Sequence, residues 1–430
     1  MPARGSPDAR GAQRATRPVR LAHLVSHPIQ YFAPLYRELA VRPEIDLTVY
    51  FYSDASAGEF YTPDFARHLR WDTPLLDGFR WKVLPSARGA AITSRLPTRP
   101  HLDVLRDLAA ERHDLVWAHG YAHLTTWLVL LAARARGVPA LLREEQTLLH
   151  GRPWHKRALK RALLQPLLRR SFGLYIGEQN RRWMLHHGAD PARLFPARYC
   201  VDNDWFRRRA AELAGRRREL RASFGITSDA PVLVFCGKLI AKKQPLLLVE
   251  AFEKLRKRHP CWLLLVGDGP LRAAVEDLVR GRRLPDVRLT GFLNQSELPA
   301  AYTAADVFTL PSAWHETWGL VVNEAMNFSL PVVVSDKVGC GEDLVRPGWN
   351  GLVVPHDSAD ALADALGTLV ADAGLRRTFG TRSHELVDRY SVTACADGIV
   401  GACLAAVGGD GRHLARAPRE PTSSRHEGGT

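Results

Sequence analysis

The chain has 430 residues, 46% hydrophobic and 24% charged, with a formal net charge of +14. That length exceeds one ordinary core and fits two domains of roughly 150–200 residues each. The longest apolar run, near Trp127–Ala133, is far short of the ~20 residues a membrane span needs, and the composition excludes a wholly disordered chain.

The first residues, Met1 to Arg17, are rich in Arg, Ala, Pro and Gly and lack the apolar stretch of a secretory signal, so 1–18 reads as a disordered leader. Short apolar runs and longer amphipathic stretches then alternate. Strands are expected at Arg20–Val25, Leu47–Tyr52, Trp81–Leu84, Leu115–Ala118, Ala140–Arg143, Leu174–Ile176 and Leu194–Ala197. Helices fall between them at Ala33–Ala40, His101–Glu111, Leu124–Arg136 and Lys156–Arg170. A basic helical joint follows at Trp205–Phe224. Further strands are expected at Val232–Cys236, Trp262–Val266, Val287–Leu289, Val307–Leu310, Pro331–Ser335 and Gly351–Val353. Their intervening helices are Pro245–Arg258, Leu271–Arg280, Ser296–Ala304, Trp318–Asn327 and Ala359–Ala371. Buried strands alternating with helices predict parallel, doubly wound sheets. The expected α/β architecture is therefore two Rossmann-like domains facing a central cleft: 19–204, a linker over 205–225, then 226–388. A helix at 389–407 returns to the first domain, and 408–430 is a disordered tail. Ligands in such folds sit beyond the carboxyl ends of the strands.

Charge and cysteines narrow the setting. Residues 1–225 hold 37 Lys and Arg against 21 Asp and Glu, whereas 226–430 hold 22 against 24. The excess concentrates in 151–221, with 18 basic and 6 acidic residues. Six scattered cysteines with no Cys-x-x-Cys or Cys/His cluster argue against a zinc site or a disulfide scaffold and for a reducing, cytoplasmic location.

Two segments carry the chemistry. In 234–245 (VFCGKLIAKKQP) a strand ends at Gly237, and Lys238 and Lys243 follow ahead of a helix. Glycine permits close backbone approach and a helix start favours an anion, so two ammonium groups here suit a diphosphate. In 315–325 (HETWGLVVNEA) Glu316 lies in a loop and Glu324 one to two turns into a helix. Both carboxylates can then face the hydroxyls of one polar ligand, with the N–H groups near Gly319 and Leu320 offered to phosphate oxygens. A turn at Val266-Gly267-Asp268-Gly269 and the runs Pro331-Val332-Val333 and Gly339-Cys340-Gly341-Glu342 complete the half.

Together these motifs, over about 230–370, resemble glycosyltransferase family 4 (glycosyl transferases group 1), a retaining family with the GT-B fold. The resemblance implies a metal-independent hexosyltransferase using a UDP- or GDP-linked sugar, with no separate cofactor. It implies that Lys238 and Lys243 bind the donor diphosphate, that Glu316 contacts the transferred sugar and that Glu324 holds the ribose; Gly237, Asp268, Gly319 and Leu320 join the donor set. Lys238 stands where the family usually has Arg, which keeps the charge but loses the bidentate fork.

The N-terminal half resembles the family more weakly. His119, just past the strand in 114–123 (DLVWAHGYAH), matches a position near the reacting centre, making His119, Lys243 and Glu316 the catalytic candidates. His27 and Gln30, in a His-Pro-Ile-Gln loop, and Arg143 and Glu144, with Glu145, after another strand, are candidates for the acceptor side. The implied acceptor is a saccharide or a lipid-linked sugar, in cell-surface polysaccharide or glycolipid synthesis. The stretch Arg152–Arg170 mixes Leu and Trp with seven cations and no acid, which suits peripheral attachment to an anionic membrane. A nucleotide-sugar epimerase of the same architecture is the nearest alternative. A basic nucleic-acid-binding protein is another, but no recognised nucleic-acid motif supports that partner.

Overall fold

The computed structural model describes residues 17–87, 101–149, 151 and 153–408. All but the last two residues of the expected leader and all but the first of the expected tail lie outside them.

Fifteen strands occur in the described residues: β1 (Val19–Val25), β2 (Ile45–Phe51), β3 (Phe60–Thr62), β4 (Arg67–Leu69), β5 (Trp81–Val83), β6 (Leu115–His119), β7 (Ala140–Arg143), β8 (Phe172–Tyr175), β9 (Leu194–Pro196), β10 (Val232–Cys236), β11 (Trp262–Val266), β12 (Val287–Gly291), β13 (Val307–Leu310), β14 (Val332–Ser335) and β15 (Gly351–Val354). Seven form one parallel sheet, ordered β5-β2-β1-β6-β7-β8-β9, and six form a second, ordered β12-β11-β10-β13-β14-β15. Each is doubly wound, with its switch point beside its first strand, β1/β6 and β10/β13. Helices cover both faces, which is why β10, VLVFC, is buried along its whole length.

The small antiparallel pair β3–β4 is absent from the sequence reading. Three-residue strands with half their side chains exposed carry almost no periodicity. This hairpin and the residues after it lie across the cleft. Asp72 accepts from Ser296 N at 3.1 Å, and Asn294 Nδ2 donates to Arg70 O at 2.7 Å. Helix Glu178–His186, also unforeseen, closes the other side: Glu178 N donates to Asp343 Oδ2 at 3.1 Å.

The joint is a pair of helices, Asn203–Leu213 and Arg217–Ser223. Both are tied to the second domain, by Arg221 to Asp306 at 2.6 Å and by Asn203 Nδ2 to Val387 O at 3.1 Å. Helix Val392–Val407 buries Cys395, Ile399, Ala402 and Cys403 in the core of the first domain with Leu21 and Leu47. By length and composition Ala373–Val407 could cross a membrane, a longer apolar stretch than Trp127–Ala133. Its apolar residues are instead shared between protein cores, since Leu386 and Val387 belong to the second domain's cluster.

Candidate active site

Beyond the C-terminal ends of β1 and β10 lies a cavity of about 730 Å³ between the domains, within the size range of small-ligand sites. Its floor is built by two loops of the second domain. After β10, Gly237 and Lys238 lead into a single 3-10 turn, Ala241–Lys243, and Gln244 adopts a left-handed conformation (φ 52°). Gln244 Nε2 donates to Pro311 O at 2.8 Å and Ala313 N to Lys242 O at 2.7 Å, tying this loop to the one after β13. Glu316 sits in that second loop. Gly339 N donates to Glu316 O at 2.9 Å and Cys340 N to Trp318 O at 3.0 Å. A Cβ on Gly339 would lie 2.0 Å from Thr317 O, so only glycine lets the backbones approach this closely.

Lys243 and Glu316 meet as a buried ion pair, 8% and 7% exposed, and Ser312 Oγ donates to the same carboxylate oxygen at 2.9 Å. Burial pushes the Glu316 carboxyl up, but Lys243 and Lys242, aided by Ser312, outweigh it and hold it below its usual range. Lys242 is a third cation in the lining, donating to His315 O at 3.2 Å, and burial lowers its pKa. Lys242 is not among the residues that the sequence singles out. Lys238 lies at the edge, paired with Asp64 of the hairpin turn at 2.5 Å and 5.5 Å from the Phe65 ring centre. Gly237, Gly319 and Leu320 line the cavity, and Gly319 (φ 101°) caps helix Leu320–Met326.

Glu324 departs from expectation. It is fully buried and set back from the cavity wall, so the two carboxylates do not face one open space. Tyr31 OH donates to its Oε1 at 2.8 Å and Tyr302 OH to its Oε2 at 2.6 Å. Burial pushes its carboxyl up to about 7, against the pull of the two hydroxyls. Tyr31 itself lines the cavity, so its phenol stands between that space and Glu324. Neither tyrosine was legible as a site residue, because each reads as core packing.

The remaining candidates separate. His27 and Gln30 line the cavity, and burial, with His119 and His123 nearby, holds the His27 imidazole down at about 4. His119 is set back. Its Nε2 pairs with Glu145 Oε1 at 3.1 Å and its ring stands edge-on to Phe32 at 4.9 Å. Its Nδ1 is buried without a hydrogen-bond partner among the described residues. Arg143 and Glu144 are corrections: both are buried and neither lines the cavity. Arg143 lies against the Phe32 and Tyr199 rings at 5.3 and 5.0 Å, and Glu144 Oε1 accepts from Glu145 N at 3.0 Å. Asp268 also turns away, accepting from Gly269 N at 2.9 Å and Arg272 at 3.3 Å, with Arg67 at 3.9 Å. Asp202 and Asp204 form an Asp-x-Asp triplet, but Asp202 caps a helix by accepting from Trp205 N at 2.9 Å.

Residues 216–385 match the family model described as Glycosyl transferases group 1. Lys238, Lys243, Glu316 and Glu324 all fall inside that group 1 region. Over 194 residues the chain is 32% identical to an alpha-D-kanosaminyltransferase of Streptomyces kanamyceticus, covering 44% of this chain and 50% of that one. Over 230 residues it is 33% identical to a D-inositol 3-phosphate glycosyltransferase of Kineococcus radiotolerans, covering 49% and 51%. The chain thus spans about half the length of the curated relatives it matches. Whole-chain likeness comes from folds. A glycosyltransferase from Rickettsia africae superposes with a TM-score of 0.70 at 14% identity, over 91% of this chain and 100% of that one. Anabaena HepE, solved with UDP and glucose, gives 0.65 at 18%, over 89% and 98%. The two-domain architecture is the GT-B fold.

Proposed function

We propose that this chain is a retaining glycosyltransferase that moves a sugar from a UDP- or GDP-linked donor onto a saccharide or lipid-linked acceptor. The observation that carries the reading is the buried Lys243–Glu316 pair on the cavity floor, with Lys242 beside it and Lys238 at the rim. Three cations around one loop oppose the charge that builds on a leaving diphosphate, which is where fixed electrostatics act most strongly. Glu316, kept ionised by Lys243 and Lys242, is an acceptor for the hydroxyls of the transferred sugar. In this reading the acceptor oxygen attacks the anomeric carbon on the face from which the diphosphate departs. The leaving phosphate takes the acceptor's proton, so neither a protein nucleophile nor a metal is needed.

Helix Trp154–Leu168 supports a peripheral location on the cytoplasmic face of a membrane. Leu164 and Leu168 anchor it, while Trp154, Leu159 and Leu163 are 76%, 64% and 60% exposed among its cations. A role in polysaccharide or glycolipid synthesis follows from such an acceptor. The test of the core reading is a thermal-shift panel of UDP- and GDP-sugars. A true donor raises the midpoint in the wild type and not in Lys243→Ala; a panel with no shift removes the reading.

A further inference from the structure

A second, smaller cavity of about 150 Å³ adjoins the first. It lies among helix Trp154–Leu168, helix Glu178–His186 and the loop that carries Glu316, and Thr317 lines both cavities. Arg157, Lys160 and His186 line it, and none of its described lining residues is a carboxylate. Lys160 is held in place: its Nζ is 4.9 Å from the Trp183 ring centre and donates to Gln146 Oε1. Thr147 also lines this space, and its Oγ1 is buried without a hydrogen-bond partner among the described residues. Buried hydroxyls are rarely left unsatisfied.

A cationic recess with a waiting hydroxyl donor, opening beside the sugar position, suits an anion delivered there by a second substrate. We infer that this recess is a subsite for a phosphate or carboxylate group of the acceptor, held by Arg157, Lys160 and Thr147. Its role as an acceptor subsite rests on the nucleotide-sugar reading of the main cavity; its binding of an anion does not. The recess also accounts for part of the positive charge concentrated in 151–221.

The test is calorimetric titration of inorganic phosphate into the full chain, with excess UDP occupying the diphosphate position. Wild type shows saturable binding. Arg157→Gln/Lys160→Gln weakens it at least tenfold and Thr147→Val about threefold, with the affinity for UDP unchanged. Glycerol 3-phosphate and glucuronate, titrated the same way, tell a phosphate-bearing from a carboxylate-bearing acceptor. The inference fails if wild type binds no anion at millimolar concentration, or if the double variant binds as wild type does. It also fails if Lys243→Ala alone abolishes phosphate binding. Titration of UDP and GDP by themselves reports separately on the donor reading, and failure there leaves the phosphate comparison intact.

Discussion

Glu324→Gln isolates the electrostatics of the most deeply buried carboxyl near the site. Its carboxyl is raised from 4.5 to about 7 by burial. A group whose folded pKa lies above its unfolded value contributes stability that is complete below pH 4.5 and is lost as the pH climbs through 7. The full loss is on the order of 3 kcal/mol, from about 1.4 kcal/mol per pKa unit. Most of that loss, roughly 2 to 3 kcal/mol, falls between pH 5 and pH 8. Glutamine keeps the shape, offers an acceptor to one tyrosine and a donor to the other, and does not titrate. At pH 5 the replacement costs about 1 kcal/mol in hydrogen-bond quality. At pH 8 the variant is therefore the more stable protein by roughly 1 to 2 kcal/mol. Urea unfolding of both proteins at the two pH values measures this, and other buried groups such as Glu144 and Asp343, also raised by burial, cancel in the comparison. An offset that stays constant to within about 0.5 kcal/mol across pH refutes the burial argument.

Four further outcomes follow from the same geometry. Lys243→Ala lowers turnover at saturating donor by about 100-fold or more, measured by product release; near-normal turnover removes the lysine from the charge-stabilising role. Asp64→Asn frees Lys238 from its partner and tightens nucleotide binding about three- to fivefold, the scale of an exposed ion pair; calorimetry that shows weaker binding reverses the sense of that contact. Gly339→Ala drives a methyl group into Thr317 O, displaces the loop bearing Glu316 and lowers both thermal midpoint and activity by a backbone clash; an unperturbed variant refutes the close-approach account. Leu159→Glu/Leu163→Glu abolishes co-sedimentation with phosphatidylglycerol vesicles at low salt without changing the thermal midpoint; wild type that fails to sediment at any salt ends the membrane proposal.

The sequence by itself determined the two parallel sheets, since strands buried on both faces read as continuous apolar runs such as VLVFC in β10. It also placed Lys238, Lys243 and Glu316 at the cavity, because residues just past strand ends reach the same edge of the sheet whatever the packing. Tertiary structure decided the rest. Arg143 is the last residue of β7 and so sits at a strand end much as Lys238 does, yet it is buried between Phe32 and Tyr199 under the returning helix Val392–Val407. Glu324 has the same spacing from Glu316 in either arrangement, and the placement of Tyr31, from the opposite domain, on its carboxylate is a contact no spacing reports. The hairpin that puts Asp64 on Lys238 joins residues 174 positions apart, and the recess around Lys160 exists only where two helices and a loop of the other domain converge. Periodicity and local spacing report on neighbours along the chain, whereas these contacts form between segments brought together by domain packing.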